Sequence, residues 1–278
     1  MEKDFKKYLE KESKAENTVL AYTRAVAAYG VWYRDSCGME LQQLYRANIL
    51  DYISFLRTVK GVSNRTINAK LSALISYNAF LIEAGVQTEQ VLSKRDFLKV
   101  QQGYANPSTL SKQQVEEFRQ RILVEYGKRD YAIVTILAYA GLRISEALGL
   151  ETDKINLTAR EIRVCGKGDK ERIVFLNDKI VNAVQEYLKE RPTGSGCPYL
   201  FVSRKGGQLD RSAVNRIFNR CSDCITPHTL RHFFCSDAIE VGYTMAEVAN
   251  QAGHSNIHTT MIYTNPTRQK MKEKANQL

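Results

Sequence analysis

A chain of 278 residues, 44% hydrophobic and 25% charged, is long enough to bury two cores rather than one. No uncharged apolar run reaches the roughly 18 residues of a transmembrane helix. The N-terminal MEKDFKKYLEKESK mixes both charge signs and lacks the apolar stretch of a secretory signal, so a cytoplasmic, reduced location is expected. The formal net charge is +10, and both parts of the chain, cut at Ala105, are net positive. That charge fits a partner such as nucleic acid, met by two domains.

The predicted elements begin with a helix from Val19, because Val19, Tyr22, Val26, Tyr29 and Tyr33 recur every three or four residues. Gly38 marks its end. A second helix runs from about Ala47 to Val59 and stops near Gly61. Ser63 is placed to cap a third, whose inner face carries Ile67, Leu71, Leu74, Leu81 and Ile82, with Gly85 after its end. Arg46, Arg65 and Lys70 fall off these stripes and are candidate phosphate contacts. The segment 101–109 (QQGYANPST) has no apolar periodicity and reads as a linker. The boundaries expected are therefore a helical domain over 1–100, a linker over 101–109 and a second domain over 110–278.

The second domain opens with Ser111 to Gln114, which has capping-box spacing. An apolar helix over Asp130–Ala140 follows and breaks at Gly141. EIRVC and RIVFL alternate as strands, and GKGDKE between them makes a hairpin with Lys167 near its tip. Helices are expected over Asp178–Arg191 and around Ala213–Arg220, His228–Val241 and Met245–Ala252. The fold class expected is mainly α with a small antiparallel β-sheet.

All four histidines fall between His228 and His258, in company with Arg231. Such a cationic group suits an anion that gains charge in a transition state. His228 and Arg231, three apart on a helix, project to nearly the same side, so one can hydrogen-bond a phosphate oxygen while the other grips it as a fork. Arg143, just after a glycine break, is placed to supply a second fork. His228 and His232 also have zinc-pair spacing, but the intervening TLR lacks the acid of a zinc hydrolase and adds a repelling cation, so no metal is expected. The six cysteines contain one C-x-x-C, Cys221 and Cys224, without a second pair of suitable spacing, and read as free thiols.

The strings AGLRISEAL (140–148), GKGDKERIV (166–174), PHTLRHFF (227–234) and AGHSNIHTTMIYT (252–264) resemble the signature boxes of the tyrosine recombinases, the family of phage integrases and Xer recombinases. The resemblance spans the second domain in order and spacing, and the helical first domain resembles the family's core-binding domain. It implies a mixed α/β catalytic domain and six catalytic positions: Arg143, Lys167, His228, Arg231, His254 and Tyr263. Tyr263 is then the nucleophile, His228 its proton acceptor, Arg143 and Arg231 the phosphate clamps, Lys167 the general acid and His254 a phosphate ligand. Glu146 either orients these groups or is a helix-surface acid. His232 and His258 read as packing or surface residues, and Tyr139 and Tyr243 as core or helix surface.

The implied activity is site-specific recombination of double-stranded DNA through a 3′-phosphotyrosine and a Holliday junction, in integration, excision or resolution. It needs no cofactor. The implied assembly is a homotetramer at synapsis and a monomer free in solution, with no membrane partner. A type IB topoisomerase-like relaxing enzyme and a catalytically silent DNA-binding regulator are the alternatives. The sequence starts almost at the first helical pattern, so an extra arm-binding domain is not expected. The charged tail from Thr267 to Leu278 is either a solvated end or a segment that docks on a neighbouring subunit.

Overall fold

The computed structural model describes residues 2–100, 110–166, 171–192 and 196–253. Backbone contacts divide the chain into two units, Met1–Gly103 and Tyr104–Leu278. No helix among the described residues is long and apolar enough to cross a membrane.

The first unit is helical: α1 (Glu2–Lys11), α2 (Glu16–Cys37), α3 (Arg46–Thr58) and α4 (Asn64–Glu83). In α2 the predicted stripe faces inward at Val19, Val26, Tyr29 and Tyr33, with Tyr22 partly buried, and Gly38 closes the helix. Ser63 caps α4 by accepting from the Thr66 amide. The core stripe of α4 is wider than the sequence suggests: Ala73, Tyr77 and Asn78 are buried along with the predicted leucines, whereas Ile82 is only partly buried. The helix α1 was not legible as one, because its charges mask Phe5 and Leu9, which are fully buried against Tyr77 and its neighbours.

Amide side chains fasten the stretch after α4. Asn78, wholly buried, accepts from the Val91 amide and donates to Glu89 O, and Asn68 does the same with both backbone groups of Leu98. Arg46 donates to Val91 O and pairs with Asp96 at 2.6 Å, so its guanidinium anchors this stretch. Arg65 is exposed beside Lys99 in a cleft that also takes in Ser63 and Asn64.

The second unit is built on α6 (Lys128–Tyr139), preceded by α5 (Lys112–Tyr126) with the predicted Ser111/Gln114 capping box. Every residue of α6 from Ala132 to Ala138 is buried, as expected of a helix that is apolar all round. The short α7 (Ile144–Leu148) follows, then a three-stranded antiparallel sheet of β1 (Ile155–Asn156), β2 (Glu161–Cys165) and β3 (Glu171–Phe175) in that order. The predicted hairpin is present, with Glu161 opposite Phe175 and Cys165 opposite Glu171, so β3 lies one residue earlier than the expected RIVFL. The two-residue β1 is an addition, too short to carry an alternating pattern.

Then come α8 (Asp178–Leu188), α9 (Arg211–Cys221), α10 (Pro227–Val241) and α11 (Met245–Ala252). The helix α8 stops short of the predicted Arg191. That side chain turns to the following loop and donates to the carbonyls of Cys197, Tyr199 and Leu200. The core of this unit joins α5 through α10 and the sheet, and a smaller cluster of Phe234, Cys235, Ala238, Val248 and Ala252 seats α11 on α10.

Gly141 makes the turn from α6 to α7 with φ +64°, and a Cβ there would overlap the Phe234 ring. An L-residue in that conformation costs about 1–2 kcal/mol before any overlap is counted. Gly141→Ala is therefore expected to lower unfolding stability by about 2 kcal/mol or more, read from urea denaturation. A loss under about 0.5 kcal/mol, the scale of a neutral surface change, would show that the turn relaxes freely.

Candidate active site

The Gly141 turn delivers Arg143 to the N-cap of α7, with extended backbone (φ −68°, ψ 148°). Three residues on, one helical turn brings Glu146 back beneath it. The Glu146 carboxylate accepts the Arg143 amide at 2.8 Å and the Arg143 Nη1 at 2.9 Å. A second guanidinium, Arg172 from β3, donates to both carboxylate oxygens at 3.0 and 3.1 Å. The Glu146 side chain is 8% exposed, which excludes the helix-surface alternative. Burial would raise its pKa, but the donors from Arg172 and Arg143 outweigh that and hold it below the ordinary 4.5.

The helix α10 begins with a Thr226 cap and Pro227 in its first turn, which suits proline because the missing N–H has no helical partner there. Its first two turns present His228 and Arg231. Arg231 is 6% exposed, and its Nη1 donates to Gly141 O at 2.5 Å and Ala252 O at 2.7 Å. Burial, with Arg143 and Arg172 nearby, lowers its pKa to about 10, so it stays cationic at neutral pH. Its Nε and Nη2 have no hydrogen-bond partner among the described residues.

His228 is exposed and meets His232 with Nε2 to Nε2 at 2.8 Å. His232 therefore does more than pack: it is a direct hydrogen-bond partner of His228, through the same i, i+4 spacing that suggested a metal pair. Two protonated rings would point two N–H groups at each other, so at least one ring is neutral. Partial burial of its ring lowers the His228 pKa, as does the charge of Arg231. Burial, His228 and Arg231 together bring His232 down to about 4.

Arg143, His228 and Arg231 share one open cleft of about 570 Å³ with Ser145, Thr226, and Arg211, Asn215 and Asn219 of α9. The last three were not among the predicted site residues. Their spacing of four was visible, but only the packing of α9 against α7 says that this polar stripe faces the cleft. Tyr139 donates to Glu116 and stacks edge-on to Phe233 at 6.2 Å, which makes it part of the scaffold below the cleft. Tyr243 is exposed at the end of α10. Lys167, His254, His258, Tyr263 and the tail 267–278 lie outside the described residues. Among the described residues no three His, Cys, Asp or Glu side chains are grouped to hold a metal ion.

Residues 108–270 match the phage integrase family, and residues 3–85 match the N-terminal SAM-like domain of phage integrases. The chain belongs to the phage integrase family of tyrosine recombinases. It is accordingly a DNA strand-exchange enzyme that performs site-specific recombination. The chain is 50% identical to the TnP I resolvase of Bacillus thuringiensis over 98% of its own length and 97% of the relative's. It is 31% identical to tyrosine recombinase XerD of Pseudomonas aeruginosa, over 93% of this chain and 90% of the relative. Two solved structures share the fold. One is the Tn1549 transposon integrase in complex with transposon right end DNA (TM-score 0.71, 21% identity, 99% of this chain and 98% of that one). The other is the XerH site-specific recombinase bound to palindromic difH substrate (TM-score 0.72, 22% identity, 93% and 79%).

In this recombinase Glu146 supplies the countercharge for two guanidiniums. Removing one member of a buried ion pair costs about 3–5 kcal/mol; with Arg143 partly exposed, about 2–3 kcal/mol is the expected loss for Glu146→Gln. Because the folded-state pKa is depressed, this contribution is complete above the unfolded value and vanishes as pH falls through the folded one. The stability gap between wild type and Glu146→Gln should stay constant from pH 7 to 5 and shrink steadily as pH falls below 4.5. A gap that does not shrink between pH 5 and pH 2.5 would assign the loss to packing instead.

Proposed function

We propose that this recombinase cleaves DNA by attack of Tyr263 on a phosphodiester held between Arg143 and Arg231. The carrying observation is the convergence of Arg143, His228 and Arg231 on one cleft, where Arg231 Nε and Nη2 have no partner among the described residues. Three guanidiniums stand against the one carboxylate of Glu146, so the group keeps a positive excess for an anion.

In the reaction the Tyr263 Oη–phosphorus bond forms as the bond to the 5′ oxygen breaks. The phenol, which ordinarily titrates near ~10, passes its proton to His228. Lys167 donates a proton to the departing 5′ oxygen, and His254 binds a phosphate oxygen. Arg143 and Arg231 offset the charge that builds on the five-coordinate phosphorus. The phosphodiester energy is kept in the 3′-phosphotyrosine, and a 5′ hydroxyl from a partner strand reverses the step. The double-stranded site is exchanged in a tetrameric synapse through a Holliday junction, assembled from monomers. Arg65 on the first unit contributes a phosphate contact, and Lys70 a second. The similarity to a resolvase favours resolution of joined replicons as the biological task.

Tyr263→Phe should abolish the covalent protein–DNA adduct on a nicked suicide duplex while leaving Kd for the duplex within about threefold, or under about 0.7 kcal/mol. Arg143→Ala and Arg231→Ala should each lower the adduct-forming rate by about 100-fold or more. An adduct that survives Tyr263→Phe would move the nucleophile elsewhere. Wild-type protein that relaxes supercoils yet never joins two sites would favour the topoisomerase-like alternative.

Because His228 is shifted down, a neutral base should already be present at neutral pH. The cleavage rate is expected to be flat around pH 7 and to fall only below the ordinary histidine value of 6.5. A rate still climbing with a midpoint above 7 would exclude neutral His228 as the proton acceptor.

A further inference from the structure

Arg172 has no part in the chemistry above, yet among the described residues of the second unit its guanidinium makes the most side-chain hydrogen bonds. Its Nη1 and Nη2 hold both oxygens of Glu146 at 3.1 and 3.0 Å. Its Nε donates to Gln251 O and its Nη2 to Ala252 O, each at 3.3 Å. One side chain, 11% exposed, thus bridges three elements: β3, the foot of α7 and the last turn of α11.

The C-terminal end of α11 is where this matters. Helix C-termini leave carbonyls without helical donors and carry the negative end of the dipole. Here Ala252 O is taken by Arg231 and Arg172, Gln251 O by Arg172, and Gly253 O by Arg143 at 2.8 Å. Gly253 turns away with φ +70°, and a Cβ there would lie 2.5 Å from Arg172 Cζ, so the guanidinium occupies space that only glycine leaves. A second tie fixes the same end: the Gln251 side chain accepts from the Phe175 amide at 3.2 Å and donates to Phe175 O at 2.8 Å, in the manner of an added strand. The next residue in the chain is His254, and Tyr263 follows nine residues later.

We propose that Arg172 is a positioning residue of strand transfer. Its bridge from Glu146 to the α11 C-terminus fixes both the Arg143 fork and the point from which the chain departs toward His254 and Tyr263. Lysine cannot replace it. A single ammonium cannot span the two carboxylate oxygens and two backbone carbonyls that the planar fork reaches. The proposal rests on the reading of Arg143 and Tyr263 as the reacting groups, and its test separates the two.

The test uses the full-length protein and a nicked suicide duplex carrying the DNA sequence trapped on the wild-type protein in cells. Single-turnover adduct formation and duplex Kd are read separately, with circular dichroism at the assay temperature. Displacing a reacting group by about 1 Å costs on the order of 100-fold in rate. Arg172→Ala is expected to slow adduct formation by about that factor while Kd stays within about threefold. Arg172→Lys, which keeps the charge, is expected to recover less than a tenth of the lost rate. In Glu146→Gln, adding Arg172→Ala should cost far less than it does alone, because both act through one bridge.

Cleavage at the wild-type rate in Arg172→Lys would overturn the proposal. So would an equal fall in rate and affinity, or unfolding of both variants, which would make Arg172 structural alone. Persistence of the adduct in Tyr263→Phe would instead overturn the assignment of the nucleophile.

Discussion

The arrangement turns on one carboxylate. Arg143, Arg172 and Arg231 are held within a small, largely buried volume, where like charges repel strongly and desolvation adds to the cost. Glu146 lies among them and accepts from two. With it, the group keeps net positive charge without becoming prohibitive to bury. On the proposed reading, the single charge of a phosphodiester would offset part of this excess, and the further charge of the five-coordinate state would offset the rest.

Backbone carbonyls do the rest of the accepting. The carbonyls at Gly141 and at 251–253 have lone pairs that their own helices do not use. Guanidiniums from α7, α10 and β3 satisfy them. The cluster is therefore assembled by the same bonds that finish the helix ends, which ties the geometry of the candidate site to the stability of this unit. It also explains why glycines stand at both junctions: one makes the reversal into α7, and the other clears space for Arg172.

The histidine pair shows a different use of helix spacing. Four residues apart on α10, the two rings meet edge to face at the Nε2 atoms. Burial and the neighbouring Arg231 disfavour protonation of both. A neutral imidazole beside permanent cations is the state that the proposed proton acceptor needs.

Local patterns were enough for much of this molecule. The stripe of α2, the Ser63 and Ser111 caps, the Gly141 break and the alternating strands of the hairpin each depend on residues within a turn or a pleat of one another, so a linear reading finds them. The four motif strings also pointed to Arg143, His228 and Arg231, which the fold brings to one cleft. Long-range contacts decided the remainder. Phe5 and Leu9 are core residues only because α4 lies across them, and Arg46 is an anchor only because Asp96 comes back to it. The stripe of Arg211, Asn215 and Asn219 gains meaning from the packing of α9 on α7. Arg172 is one of many basic residues in the sequence. Only the fold, by bringing β3 beside both α7 and the end of α11, turns it into the bridge on which the cationic cluster depends.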